Sequence, residues 1–187
     1  MRIENNFAVA APAEAAWDLL MDVPRVIPCM PGAKLDEVVD GSHWKATMQV
    51  RLGPIALTFA TDVERTETDE SGKRVVLVAN ARDVRNRGRA QASIESRLAS
   101  EDGGTRVQLN ADLTLSGPAA QYGRGLIQDI SSQLITSFAE CLEAQLTGAP
   151  EEAAASAASQ ARPVDGLSLF FGAVRRKLSR LIGRRPQ

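Results

Sequence analysis

The chain is poor in the side chains that support most acid–base and metal chemistry. It has one histidine, His43, and one tyrosine, Tyr122, and aromatic residues make up only 4% of its 187 residues. A single histidine excludes most zinc and di-iron sites and any relay of several histidines. Long apolar runs are also missing, since no stretch approaches the roughly 18–20 residues of a membrane-spanning helix. We therefore expect no metal site, no covalently attached cofactor and no catalytic residue.

The two cysteines, Cys29 and Cys141, fit no paired metal-ligand spacing and make a poor disulfide framework. The first residues, Met-Arg-Ile-Glu-Asn-Asn, lack the apolar segment of a secretory signal. We therefore expect a cytoplasmic protein with reduced cysteines, in which Cys141 belongs to a core. A reactive thiol at Cys29 is the alternative.

The charge of the chain is unevenly distributed. The net charge is −1, but residues 166–187 hold six basic residues and no acidic one, which leaves 16 basic against 23 acidic residues elsewhere. An acidic body with a basic terminal segment suggests an anionic partner for that segment.

The alternation of apolar and polar residues predicts a sheet with few helices. After a strand over 2–10 and a short helix over 12–22, prolines and Pro31-Gly32 indicate a helical turn and a tight loop. Period-two segments then predict consecutive strands over 44–52, 55–63, 73–82, 89–98 and 107–115. Strands without crossover helices form an antiparallel meander.

A long helix follows the meander, over residues 119–146, with an apolar stripe that ends before Gly148. Such a stripe must be buried, and the concave face of the sheet is the only predicted surface large enough. The fold class is therefore α+β: a curved antiparallel sheet wrapped around a long C-terminal helix, in a domain over 1–147. Residues 148–166, rich in Ala, Ser and Pro, form a linker.

The last segment, 167–187, has the pattern of a basic amphipathic helix. Its apolar residues recur at helical spacing and its basic residues lie opposite, which is typical of a helix in a membrane interface. Docking on its own domain or a partner protein is the alternative, whereas nucleic acid is disfavoured because half the helix is apolar. The predicted membrane-binding residues are Leu167, Phe170, Phe171, Val174, Arg175, Arg176, Lys177, Leu178, Arg180, Leu181 and Ile182.

The helix and the concave face could enclose a ligand. Several positions predicted to face inward are small, namely Ala46, Ala90, Ala92 and Ala111, and small residues leave volume that a neighbour or a ligand must fill. Ordinary core packing is the alternative for each residue. The predicted lining is Met30, Ala46, Met48, Leu57, Phe59, Tyr122, Leu126, Ile130, Leu134 and Phe138.

Two further groups of polar residues have open interpretations. The charged stretch Arg82, Asp83, Arg85, Arg87 and Arg89 is either a solvated loop or a docking patch for an acidic partner. His43 follows Gly-Ser in a turn, and we expect it to be exposed rather than catalytic.

Several short segments, in their sequential order, resemble the CoxG family, the G subunits of carbon monoxide dehydrogenases, within the START-like, SRPBCC helix-grip superfamily. The resemblance covers about residues 1–147. The matching segments are WDLLMD at 17–22, IPCMPG at 27–32, Gly53-Pro54-Ile55 with Phe59, GGTR at 103–106, and Gly117 followed by Gly123 and Leu126-Ile127.

The resemblance implies an accessory protein of a molybdenum-containing CO dehydrogenase or related hydroxylase. It also implies recruitment of that enzyme to the membrane and a pocket for a hydrophobic ligand, such as a respiratory quinone (menaquinone or ubiquinone) or another isoprenoid lipid. With the basic terminal segment, it suggests a carrier that lies at the inner face of the cytoplasmic membrane on anionic lipid. The alternatives are a ligand-free adaptor or assembly factor, and an enzyme such as a cyclase or hydrolase.

Overall fold

The fold was determined as a computed structural model, which describes residues 1–52, 55–121 and 124–148. Seven strands and three helices follow one another in an order close to the predicted one. The strands are β1 (Arg2–Val9), β2 (Ala33–Val38), β3 (His43–Leu52), β4 (Ile55–Asp69), β5 (Arg74–Asp83), β6 (Arg89–Glu101) and β7 (Gly104–Leu115). The helices are α1 (Ala13–Met21), α2 (Val23–Val26) and α3 (Arg124–Thr147), with 3-10 turns at Ile27–Cys29 and Gly117–Gln121.

All seven strands form one curved antiparallel sheet in the order β1-β7-β6-β5-β4-β3-β2. The predicted meander and long C-terminal helix are confirmed, although the residues just before α3 form a 3-10 turn instead of its first turn. β2 was not predicted as a strand. Of its side chains only Ala33 and Leu35 are half-buried and the rest are exposed, so its hydrogen bonds with β3 define it rather than an apolar pattern.

The core has two ends. At one end, α1, the first 3-10 turn and the C-terminal half of α3 pack tightly together, with Leu19, Phe138 and Leu142 buried. At the other end, the N-terminal half of α3 lies over the inner face of the central strands, together with Leu57 and Phe59. α3 approaches β1 more closely than the other strands.

The cysteines form a disulfide, which contradicts the expectation of reduced thiols. Cys29 in the first 3-10 turn and Cys141 in α3 are joined across 112 residues of sequence, with their Cα atoms 5.4 Å apart. Both are fully buried, so Cys141 is a core residue as expected, but Cys29 has no reactive thiol. The expectation of a cytoplasmic location rested partly on reduced cysteines, and the disulfide removes that argument.

The predicted linker beyond Gly148 and the predicted amphipathic helix over 167–187 lie outside the described residues. Among the helices that the structure describes, none is long and apolar enough to cross a membrane.

Candidate ligand-binding hollow and its arginine rim

The inner face of the sheet under the N-terminal half of α3 is apolar but incompletely covered. Ile3, Leu57, Phe59 and Ile127 are buried there. Most of the apolar side chains around them keep part of their surface accessible; they are Met1, Met48, Val50, Ile55, Ala81, Ala90, Ala111, Leu113, Leu115 and Ile130. In a closed core such side chains would be fully buried. This part of the molecule therefore has an open apolar surface, which we call the hollow.

A row of small residues forms the floor of the hollow. The strand register places Ala46 opposite Thr61, Thr61 opposite Ala81, and Ala81 opposite Ala90, across four neighbouring strands. Short side chains leave volume above the central strands that longer neighbouring side chains or a ligand must fill.

One polar atom in this floor lacks a partner. Thr61 Oγ1 is buried and forms no hydrogen bond with any residue that the structure describes. A buried hydroxyl without a partner costs free energy, and such a group calls for an explanation. Because this atom is closed off from solvent, a polar group of a ligand could reach it only if neighbouring side chains moved.

The structure brings some of the predicted lining residues together and separates others. Met48, Leu57, Phe59 and Ile130 meet in the hollow, and Ala46 lies in its floor. Leu134 is half-buried further along α3, whereas Leu126, on the first turn, is 38% exposed.

Two other predicted lining residues lie at the closed end of the molecule. Met30 and Phe138 pack around the disulfide, and the ring of Phe138 meets that of Phe7 edge to face, with centroids 6.1 Å apart. Tyr122 lies outside the described residues.

The turn between β5 and β6 is built around an ion pair in which the carboxylate is buried and the guanidinium is partly exposed. The carboxylate of Asp83, only 1% exposed, accepts hydrogen bonds from Arg87 Nε at 2.9 Å and Arg87 Nη2 at 3.1 Å. It also accepts bonds from the backbone N–H groups of Thr58, Arg85 and Arg87. The Arg87 guanidinium is the main reason why the pKa of Asp83 lies well below its ordinary value, while burial acts in the opposite direction.

Two glycines let this turn pack against the end of β7. A Cβ atom on Gly88 would lie 2.5 Å from the carbonyl oxygen of Ser116, and one on Gly117 would lie 2.0 Å from that of Arg87. Gly117 also has a φ of +75°, which disfavours any other residue. The turn and the β7–α3 connection are therefore held in backbone contact.

The other arginines of the stretch remain unpaired. Among the described residues, the exposed guanidinium groups of Arg82, Arg85 and Arg89 form no hydrogen bond or ion pair. Two of them, Arg82 and Arg89, border a concavity of about 470 Å³, which is also lined by Asn86, Arg87, Gly88, Ser116 and Gly117. We call these three arginines the rim, because they lie at the end of the sheet that holds the hollow; Arg82 and Arg89 alternate with Ala81 and Ala90 and therefore project from the opposite, outer face of the sheet.

His43 lies at the opposite end of the sheet and is partly exposed. Its Nδ1 is 3.0 Å from Asp40 Oδ1, and its Nε2 is 3.5 Å from Glu64 Oε1. The hydrogen bond to Asp40 raises the pKa of His43, whereas the Ser42 N–H and then His43 itself lower the pKa of Asp40 to about 2. Within the part of the chain that the structure describes, no group of His, Cys, Asp or Glu could hold a metal ion.

The sequence interpretation missed two residues of this site. The alternation of apolar and polar residues predicts that Thr61 points inward. Its missing hydrogen-bond partner could not be predicted, because it depends on the residues of the neighbouring strands that lie beside it. Asp83 was interpreted as one of five charged residues in a solvated loop or docking patch. It is buried because the turn brings the Arg87 guanidinium into contact with its carboxylate.

Solved structures share this fold at low sequence identity. A conserved protein from Geobacillus kaustophilus matches with a TM-score of 0.70 and 19% identity, over 79% of this chain and 96% of that one. The protein TTHA0849 from Thermus thermophilus matches with a TM-score of 0.56 and 19% identity, over 80% and 99%. A START superfamily protein from Mycobacterium smegmatis gives 0.54 and 15%, over 79% and 97%.

Comparison with curated proteins finds no match. The family model for CoxG, the G subunit of carbon monoxide dehydrogenase, in contrast, matches residues 6–147, which include every described strand and helix of the sheet-and-helix fold except the first residues of β1. The chain therefore belongs to the CoxG family of carbon monoxide dehydrogenase G subunits.

Proposed function

We propose that this protein is a membrane-tethered, non-catalytic accessory protein of a molybdenum-containing CO dehydrogenase, and that it carries a hydrophobic ligand in the hollow. The hollow is the observation on which the proposal rests. Its half-buried apolar lining, its alanine floor and the orphaned Thr61 hydroxyl together suit an apolar molecule with one polar group. Family membership supports the link to the enzyme.

A respiratory quinone, menaquinone or ubiquinone, has the required chemistry. Its isoprenoid chain and ring would cover the half-buried apolar side chains of the hollow, and a ring carbonyl would accept a hydrogen bond from Thr61. Exposing such a molecule to water costs about 25 cal/mol for each Å² of apolar surface, so its transfer to a water-soluble enzyme needs a carrier. We expect the acidic body to face the enzyme.

The terminal segment supplies the tether in this proposal. Its apolar stripe and basic residues favour reversible binding to anionic lipid at the inner face of the cytoplasmic membrane, and the linker would keep the domain close to that surface. Tethering raises the local concentration of the hollow at the bilayer without any further contact.

Extraction of a bound ligand tests the proposal. The full chain is purified from a quinone-producing host and extracted with organic solvent, and the extract is analysed by mass spectrometry. In a hollow-filling variant, Ala81→Leu with Ala90→Leu, larger side chains occupy the floor. The matched control, Ala60→Leu with Ala99→Leu, adds the same volume on exposed positions.

We expect an isoprenoid quinone in extracts of the wild type and the control, and its loss from the hollow-filling variant. If the wild-type protein from several hosts releases no ligand, the carrier function is contradicted and a ligand-free adaptor is favoured. The interior of such an adaptor would be packed throughout as tightly as the end around Phe138.

A further inference from the structure

Two features, one in the rim and one at the start of α3, oppose the stability of the fold. Arg82 and Arg89 face each other directly across β5 and β6, and like charges in such a pair repel. Arg124 begins α3, whose first turn has no acidic residue, so a cation lies at the end of the helix that favours anions. Local features that oppose stability are typical of functional surfaces.

Several basic side chains elsewhere on the sheet are paired with carboxylates. Lys45 contacts Glu37 at 2.8 Å, Arg97 contacts Glu95 at 3.0 Å, and Arg106 contacts Glu101 at 2.6 Å. The contrast shows that the rim concentrates its positive charge at one end of an otherwise acidic body. An unneutralised cluster of this kind attracts anions.

An apolar tip lies among these charges. Val84, between Arg82 and Arg85, is 60% exposed, and Leu126 on the first turn of α3 is also accessible. A basic rim with a protruding valine, at the end of the sheet that also holds an apolar hollow, matches a lipid surface better than an acidic protein surface. Phosphate groups would neutralise the arginines, and the apolar tip would enter the interface.

We propose that the arginine rim is a second membrane-docking surface, which binds the phosphates of anionic phospholipids and brings the end of the sheet that holds the hollow to the bilayer. The proposal rests on the proposed function, because it specifies how an apolar ligand passes between the membrane and the hollow. The concavity beside Arg82 and Arg89 accommodates a headgroup, and Val84 lies at the lipid level. The terminal segment holds the protein near the membrane, and the rim sets its orientation.

Site-specific fluorescence on the full chain tests this orientation. An environment-sensitive label is placed at Val84→Cys or, as a matched position, at Val39→Cys. Both valines are exposed, by 60% and 50%, and they lie at opposite ends of the sheet. The native cysteines do not compete, since both are in the buried disulfide. Each protein is mixed with vesicles of equal parts phosphatidylglycerol and phosphatidylcholine, with vesicles of phosphatidylcholine alone, or with inorganic phosphate.

We expect a blue shift and quenching by lipid-borne quenchers at position 84 with anionic vesicles, and no response at position 39 or with inorganic phosphate. In the rim variant Arg82→Gln, Arg85→Gln and Arg89→Gln, the population with position 84 at the bilayer falls roughly 100-fold, because each of the three arginines near an anionic surface contributes about a factor of five. The control variant Lys45→Gln, Arg97→Gln and Arg106→Gln loses the same charge and keeps the response.

Vesicle sedimentation separates the two proposals. If the wild type sediments with vesicles but position 84 does not respond, or both positions respond equally, the rim proposal is overturned while the tether stands. If the rim variant instead loses binding to purified CO dehydrogenase and position 84 ignores lipid, the rim is a protein-docking surface and the proposal is wrong. A wild type that neither sediments nor releases a quinone contradicts the proposed function itself.

Discussion

Arg87 holds the carboxylate of Asp83 through two hydrogen bonds, and its Nη2 also donates to the carbonyl oxygen of Ala56 at 2.8 Å. One side chain thus ties the β5–β6 turn to the neighbouring β4 strand. The other arginines of the stretch have no such partner among the described residues, and their guanidinium groups project from the turn that this pair holds together. Within this one charged stretch, Asp83 and Arg87 form an ion pair that supports the turn, whereas the remaining arginines are exposed to solvent.

Asp83→Asn should destabilise the protein at neutral pH, since it removes the charge that Arg87 contacts. The pKa of Asp83 is lowered in the folded protein, so its contribution is complete above the unfolded value of about 3.8 and is lost as the pH falls through the lower folded pKa. The difference in free energy of unfolding between wild type and variant should therefore shrink in acid. Urea denaturation from neutral pH to about pH 3 measures it.

The exposed Asp102→Asn is the control for this series, because Asp102 lies in the tight turn between β6 and β7. If the difference in free energy of unfolding between wild type and Asp83→Asn stays constant with pH, the charge of Asp83 contributes no stability.

The disulfide should stabilise the domain by about 4 kcal/mol, since it closes a loop of more than one hundred residues. The double variant Cys29→Ala with Cys141→Ala should unfold at a lower denaturant concentration than the oxidised wild type. Thiol titration of the wild type in denaturant without reductant should detect no free thiol. Two free thiols per chain before reduction would contradict the disulfide.

His43 should titrate above its ordinary pKa of 6.5, because Asp40 stabilises its charged form. A raised folded pKa contributes stability that is complete below the unfolded value and is lost as the pH rises through the folded value. His43→Gln should therefore be less stable than wild type in mild acid and equal to it at alkaline pH. The chain has a single histidine, so its ring proton resonances give the pKa directly; a value at or below 6.5 would refute the assignment.

The strand alternation predicted the sheet well because burial of one face imposes period two on the sequence. β2 escaped prediction because it is an edge strand whose side chains are largely exposed, and its bonds to β3 need no apolar pattern. Cys29 and Cys141 escaped because their pairing depends on the packing of a 3-10 turn on α3, which sequence spacing does not contain.

Of the candidate site, only the apolar lining residues could be predicted from the sequence. Met48, Leu57 and Phe59 follow from alternation, since each is an inward residue of β3 or β4. Met30 and Phe138 also have inward patterns, but the curvature of the sheet and the path of α3 place them at the closed end. Which arginine is paired and which is free depends on the fold of a single turn.

The terminal segment should bind vesicles through its apolar face as well as its charge. Phe170→Asp with Phe171→Asp should abolish sedimentation with anionic vesicles, because burial of each phenylalanine contributes about 2 kcal/mol. Ser168→Asp with Ser179→Asp adds the same charge away from the predicted apolar stripe and should weaken binding far less. Equal binding by the two variants would mean that charge alone is sufficient.

Thr61→Val should have opposite effects on stability and on ligand binding. The valine keeps the shape of the threonine and removes the unpaired Oγ1, so the free energy of unfolding of the ligand-free protein should rise by about 1 kcal/mol. The affinity for a quinone should fall about fivefold, because the ligand loses one hydrogen bond. Thermal unfolding and quinone titration measure the two effects. Thr114→Val, at an exposed position of β7, should change neither quantity. An affinity that is unchanged in Thr61→Val would show that the hydroxyl does not contact the ligand, because the two side chains share their shape and differ in that hydroxyl.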